Sequence, residues 1–188
     1  LEMQGAVSVH NWYRTPVTVT FKAEDEGVGM GVVWHKLETM NDFERLAEDG
    51  AAWKPLAIRV EGQHRLDYFG QDKYNNTEIS QTTMINIDLT APTATHTLDG
   101  VYLLNGWYRS PVTVNLAGQD NLSGFDRHEI NLAGTGWQTV TTSPVVSHTG
   151  HHTLTYRAVD RAGNISQEKI ITFDVDTTPP TTSHIFNG

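Results

Sequence analysis

The chain has 188 residues, 38% of them hydrophobic and 19% charged, with 22 acidic against 13 basic side chains and a formal charge of −9. That balance fits neither a disordered nor a collagen-like chain, and a negative field without a basic stripe speaks against nucleic acid and anionic lipid as partners. The absence of cysteine excludes disulfides and thiolate metal sites, and no apolar run approaches the roughly 18 residues that a bilayer-spanning helix needs.

From the N-terminus, Leu1-Glu2-Met3-Gln4 resembles a cloning remnant more than a signal peptide. The stretch Trp12 to Val19 then returns almost unchanged as Trp107 to Val114, and Asp25 and Gly29 recur as Asp120 and Gly124 at the same offset of 95. Such self-similarity is the mark of a duplicated fold. Gly62, His64, Leu66, Tyr68, Asp72, Asn76, Asp88 and Pro92 return as Gly150, His152, Leu154, Tyr156, Asp160, Asn164, Asp176 and Pro180, now at an offset of 88. Trp53 pairs with Trp137 at an offset of 84, which gives copy one about eleven extra residues after Gly29.

Within that insertion, near 36–52, Leu37, Met40, Phe43 and Leu46 recur every three positions, Asn41 and Glu44 form a capping pair, and Gly50 closes the run. The spacing predicts one short helix near 42–49, its apolar face covering the fold. Elsewhere the period is two. Val112, Val114 and Leu116 alternate with polar residues, as do His152, Leu154, Tyr156 and Ala158, and Ile171, Phe173 and Val175. Turn residues separate these runs every 8 to 12 positions, which predicts β-sandwiches of roughly seven strands. Short Thr/Pro joints at Asp88–Thr93 and Asp176–Thr182 close the copies. The domains are therefore expected at 1–92 and 93–180, with 181–188 a linker or the start of a further repeat.

Taken in order, Gly106-Trp107-Tyr108-Arg109-Ser110-Pro111, Asp120-Asn121-Leu122-Ser123-Gly124, the Gly150 to Asn164 pattern and Asp176-Thr177-Thr178-Pro179-Pro180 resemble the bacterial immunoglobulin-like repeats of large exported proteins. The resemblance covers nearly all of copy two. Copy one departs at Asp72-Lys73-Tyr74-Asn75-Asn76, where the glycine of the turn is missing, and at the insertion. The resemblance implies an all-β chain of two tandem Ig-like sandwiches, the first with a short helical insertion, in a secreted or cell-surface protein. It implies neighbouring domains of a parent protein as partners, and a role as spacer, stalk or adhesive unit.

The residue chemistry agrees with a non-enzymatic reading. Ser123 lies outside a Gly-x-Ser-x-Gly elbow, no phosphate-cradling glycine loop occurs, and the paired Glu24 and Asp25 fall in a turn. The repeated aspartates, Asp72 and Asp160 foremost, sit where turns need an Asx side chain rather than in a calcium loop. His152, repeated as His64, reads as a packed residue beside solvated His148 and His151 rather than as a metal ligand. No metal or cofactor is expected. The aromatics carry the alternative function, an accessory carbohydrate-binding module of an extracellular glycoside hydrolase, because sugar rings stack on aromatic faces. Trp34 and Tyr74, unique to copy one, are the candidate ligand-binding residues, with a polysaccharide or cell-surface glycan as partner.

Overall fold

The structure is a computed structural model. It describes residues 1–46, 48–49, 52–103 and 105–186, with side chains described for 1–46, 53–103 and 105–186. Two units emerge: Leu1–Thr90 with Arg161–Asn164, and Ala91–Asp160 with Ile165–Gly188.

The first unit runs β1 (Glu2–Gln4), β2 (Trp12–Tyr13), β3 (Val17–Thr20), β4 (Met30–Leu37), β5 (Glu44–Arg45), β6 (Glu48–Asp49), β7 (Ala52–Trp53), β8 (Leu56–Ile58), β9 (Gly62–Asp72) and β10 (Gln81–Ile87). Its sheets are β1-β3-β8 and β2-β10-β9-β4-β5, with a separate β6–β7 hairpin. The second unit runs β11 (Thr93–Asp99), β12 (Trp107–Tyr108), β13 (Val112–Gln119), β14 (Phe125–Leu132), β15 (Gln138–Val140), β16 (Val145–Val146), β17 (Gly150–Asp160) and β18 (Lys169–Val175). Its sheets, β11-β13-β16 and β12-β18-β17-β14-β15, repeat the same order strand for strand.

Period-two alternation explains the two cores. Val17 and Val19 of β3, Ile58 of β8, Leu66 of β9 and Ile85 and Ile87 of β10 are buried in one cluster. Val112 and Val114, Val146, Leu154, Phe173 and Val175 fill the same places in the other. In each unit the buried residues come from both sheets, which makes each a sandwich closed over its own apolar faces. The short second strand of each unit pairs in parallel with the last: Trp12 and Tyr13 lie beside Asn86 and Ile87, Trp107 and Tyr108 beside Asp174 and Val175. The ladder continues as Asp88 N–H donates to Tyr13 O and Asp176 N–H to Tyr108 O, each at 2.8 Å.

The expected helix near 42–49 is overturned, and no helix occurs among the described residues. Glu44 and Arg45 pair antiparallel with His35 and Trp34. Leu46 N–H then donates to Val33 O at 2.8 Å, and its side chain enters the core. The three-residue spacing arose because Leu37 and Leu46 reach the core from opposite arms of a hairpin. An isolated two-turn helix would have had to offset its nucleation cost against less packing. Ala47, Gly50 and Ala51 lie outside the described residues.

The register also revises the alignment of the copies. Arg45 opposite Trp34 matches Thr139 opposite Glu129, an offset of 94, and Ile58 opposite Val17 matches Val146 opposite Val112, an offset of 88. Copy one therefore gains six residues between these points, where it forms the β6–β7 hairpin. Trp53 belongs to that hairpin, and the residue equivalent to Trp137 is Phe43. Leu1–Gln4 is likewise part of the repeat, since Glu2, Met3 and Gln4 pair with Thr20, Val19 and Thr18 in the register of Thr97, Leu98 and Asp99 with Asn115, Val114 and Thr113.

Candidate functional site

The repeated polar residues bond to their own fold. Asp25 Oδ2 accepts from Gly27 and Gly29 N–H at 3.0 and 2.8 Å, and Asp120 Oδ2 accepts from Leu122 and Gly124 N–H at 3.0 and 2.7 Å. Both loops end on a glycine with positive φ, 83° at Gly29 and 88° at Gly124. Asp88 and Asp176 each accept the amide two residues ahead, from Thr90 and Thr178, at 3.0 Å. Asp72 accepts Tyr74 and Asn76 N–H through Oδ1 and the Asn76 amide through Oδ2, at 2.8, 2.8 and 2.7 Å. The Asn76 side chain, with these backbone amides, holds the Asp72 carboxyl below its ordinary range. The glycine absent from this turn is replaced by Asn75 at φ 67°, against 91° at Gly163, because asparagine tolerates the left-handed region.

Asp120 and Asp160 of the second unit bring carboxylate oxygens within 4.8 Å of each other. Asp160 is 1% exposed. The histidine pair repeats its bonding too: His64 Nε2 meets Val60 O at 2.8 Å, and His152 Nε2 meets His148 O at 2.7 Å, four residues back in both. His152 lies against Phe173, whereas His151 contacts Trp107 and Asp174, so the two neighbours serve different faces of β17.

The copies differ most on the outer face of the five-stranded sheet. In the second unit Glu129 accepts from Arg127 and Arg157, with Nη2 of each at 2.8 Å, and the Arg157 guanidinium lies 3.9 Å from the Trp137 ring centroid. Burial alone would raise the Glu129 carboxyl, but the two arginines outweigh it and bring it below its ordinary value. In the first unit the same three positions hold Trp34, Phe69 and Phe43. Trp34 stacks on Phe69 with centroids 6.3 Å apart, and Phe43 meets Phe69 edge-on at 5.0 Å. An ion network has been exchanged for an aromatic cluster at fixed backbone register.

The two sequence candidates are placed differently. Trp34 is half-buried in that cluster, and its indole N–H donates to Gln71 Oε1 at 3.4 Å. Tyr74 stands outside the cluster at the tip of the Asp72 turn, 74% exposed. Sequence reading missed Phe43 and Phe69, because the alignment through Trp53 concealed that they replace Trp137 and Arg157. A second feature it missed is a cleft of about 420 Å³ in the first unit, lined by Ala23, Glu24, Met30, Val33, Tyr68 and Gln81 among others.

No protein-family model matches the sequence, and no curated protein matches it. Among solved structures, the chain is similar to the fibronectin(III)-like modules of Clostridium thermocellum CbhA, at 11% identity over 93% of both chains with a TM-score of 0.47. It is also similar to a structure from a 1.5-MDa bacterial ice-binding adhesin, at 14% identity over 95% of this chain and 66% of that one, with a TM-score of 0.38.

Proposed function

We propose that the chain is a non-catalytic pair of Ig-like modules in a secreted or cell-surface bacterial protein, acting as a structural spacer or stalk that carries tension. The parallel pairing of the short second strand, β2 or β12, with the last strand, β10 or β18, carries this reading. A pull on the two ends of such a unit draws those strands past each other, so their hydrogen bonds must yield together rather than one at a time. The repeated aspartates and histidines support it, because their bonds tie turns and strand ends. Neighbouring domains are the partners this role requires, and 181–188 reads as a linker or the start of a further repeat.

An adhesive reading follows from the exchange of Glu129, Arg157 and Trp137 for Trp34, Phe69 and Phe43. An aromatic cluster on a solvent-facing sheet, with the exposed Tyr74 as a second contact, offers apolar faces to the C–H faces of a polysaccharide or cell-surface glycan. A glycan array on the intact chain and on Trp34→Ala and Tyr74→Ala variants decides between the two. The spacer reading expects no saturable binding. Binding lost in either variant supports the adhesive one.

A further inference from the structure

Cations gather round the aromatic cluster of the first unit. Side chains two apart on a strand share a face, so β9 presents Arg65, Asp67, Phe69 and Gln71 in turn to the side that holds the cluster, and β4 presents Lys36 beside Trp34. Pairing sets Trp34 opposite Phe69, Lys36 opposite Asp67, and Arg45 of β5 on the other flank of Trp34. Lys36, Arg45 and Arg65 are thus placed roughly 5–14 Å from the rings, one cross-strand step or up to four residues along a strand.

The second unit shows that the fold does not require these charges. There the places of Lys36, Arg45 and Arg65 hold Asn131, Thr139 and Thr153, at the offsets of 95, 94 and 88 that the pairing fixes. Arg127 and Arg157 of that face are tied to carboxylates: both to Glu129, Arg127 also to Asp126 at 2.8 Å and Arg157 also to Glu168 at 3.4 Å. Their places in the first unit hold Val32 and Phe69. Lys36 Nζ there donates to a neutral partner, the Asn41 carbonyl, at 2.8 Å, and the Arg65 side chain is 59% exposed while its Nε donates to Asp67 at 3.0 Å. The nearby carboxylates are engaged: the Thr82 hydroxyl, then Arg65 and Lys36, hold Asp67 below its ordinary range, and Glu38 meets His64 Nδ1 and Arg65 N–H at 2.8 and 2.9 Å.

We propose that the ligand of this face is a uronate-type polysaccharide, lying along β9 with its C–H faces on Phe69, Trp34 and Phe43 and its carboxylates on Lys36 and Arg65; this rests on the adhesive reading above. A carboxylate at the edge of a sugar ring leaves the C–H face free to lie on an aromatic ring, and a guanidinium fork takes a carboxylate in two parallel hydrogen bonds. From Arg65 to Gln71 the strand runs about 20 Å, which accommodates an extended chain of several sugars. On a chain of net charge −9, such a face is where a polyanion meets attraction rather than repulsion.

Titration calorimetry of the full chain with oligogalacturonate, neutral galactomannan and dextran sulfate tests this, with circular dichroism checking that each variant keeps its strands. Oligogalacturonate should bind saturably and about ten-fold more weakly at about 0.5 M salt. The Lys36→Gln, Arg65→Gln double variant and Trp34→Ala should each weaken it by about ten-fold or more, a factor well outside what screening of one exposed charge gives. Lys22→Gln, which removes a cation ion-paired to Glu2 of the other sheet, should leave it unchanged. Saturable binding of galactomannan that ignores the double variant would keep the adhesive reading and overturn the uronate assignment. Dextran sulfate binding as tightly, or uronate binding that survives Trp34→Ala, overturns it too, and no binding of any of the three removes the adhesive reading with it.

Discussion

Arg157 lies over the ring of Trp137, its guanidinium carbon 3.9 Å from the centroid, while Nε and Nη2 of the same side chain donate to Glu129 at 2.8 Å. One arginine thus joins a strand-end aromatic to a carboxylate on β14. Both Glu129 oxygens are engaged, since Arg127 donates to Oε1. Glu129→Gln should lower stability by about 1.5–3 kcal/mol, on the scale of a hydrogen bond to a charged group, and Trp137→Ala should cost less on the cation–π term alone, about 0.5–1 kcal/mol. Denaturant unfolding of the single and double variants gives the coupling. A Glu129→Gln change without effect would remove the network from the account.

The turn aspartates should behave as caps. Asp120→Ala leaves the amides of Leu122 and Gly124 without their acceptor and should lower stability by about 1 kcal/mol, with Asp120→Asn retaining part of it. Thermal melts with and without added calcium check the role. Loss that appears only with calcium present would assign Asp120 to a metal instead.

Acid should weaken the fold before any carboxylate titrates. Burial pushes the His35 imidazole below its ordinary value despite the nearby Glu44 charge, and burial does the same to His128 despite the opposing influence of the Ala117 backbone. His35 Nδ1 and His128 Nε2 are buried without a hydrogen-bond partner. Both rings therefore take up protons less readily in the fold than in the unfolded chain, which does so near pH 6.5, so stability is full above that pH and falls as pH drops through it. Melting temperature measured from pH 8 to 5 should decline, and a His35→Gln, His128→Gln double variant should show a flatter decline. An equal slope in both proteins would contradict this assignment.

The repeat was legible because the core rests on period two, which survives substitution: Val17, Val19 and Leu66 align with Val112, Val114 and Leu154 without reference to structure. The insertion was not, because two apolar residues on facing hairpin arms, Leu37 and Leu46, imitate the spacing of a helix face. Tryptophan identity also misled. Trp53 resembles Trp137 in type, but Phe43 holds its place, and only the pairing of β4 with β5 distinguishes them. Once that alignment is corrected, Phe43 joins Trp34 as the second aromatic packed on Phe69. The role of Tyr74 stays where the sequence left it, an exposed aromatic on a turn.

The most direct measurement of the stalk reading is single-molecule stretching of the chain from its two ends. The parallel pairs β2–β10 and β12–β18 should give two separate rupture events, each releasing about 300 Å for close to ninety residues at ~3.5 Å apiece. Smooth extension without discrete events would contradict the claim that these parallel pairs make each unit yield as a whole.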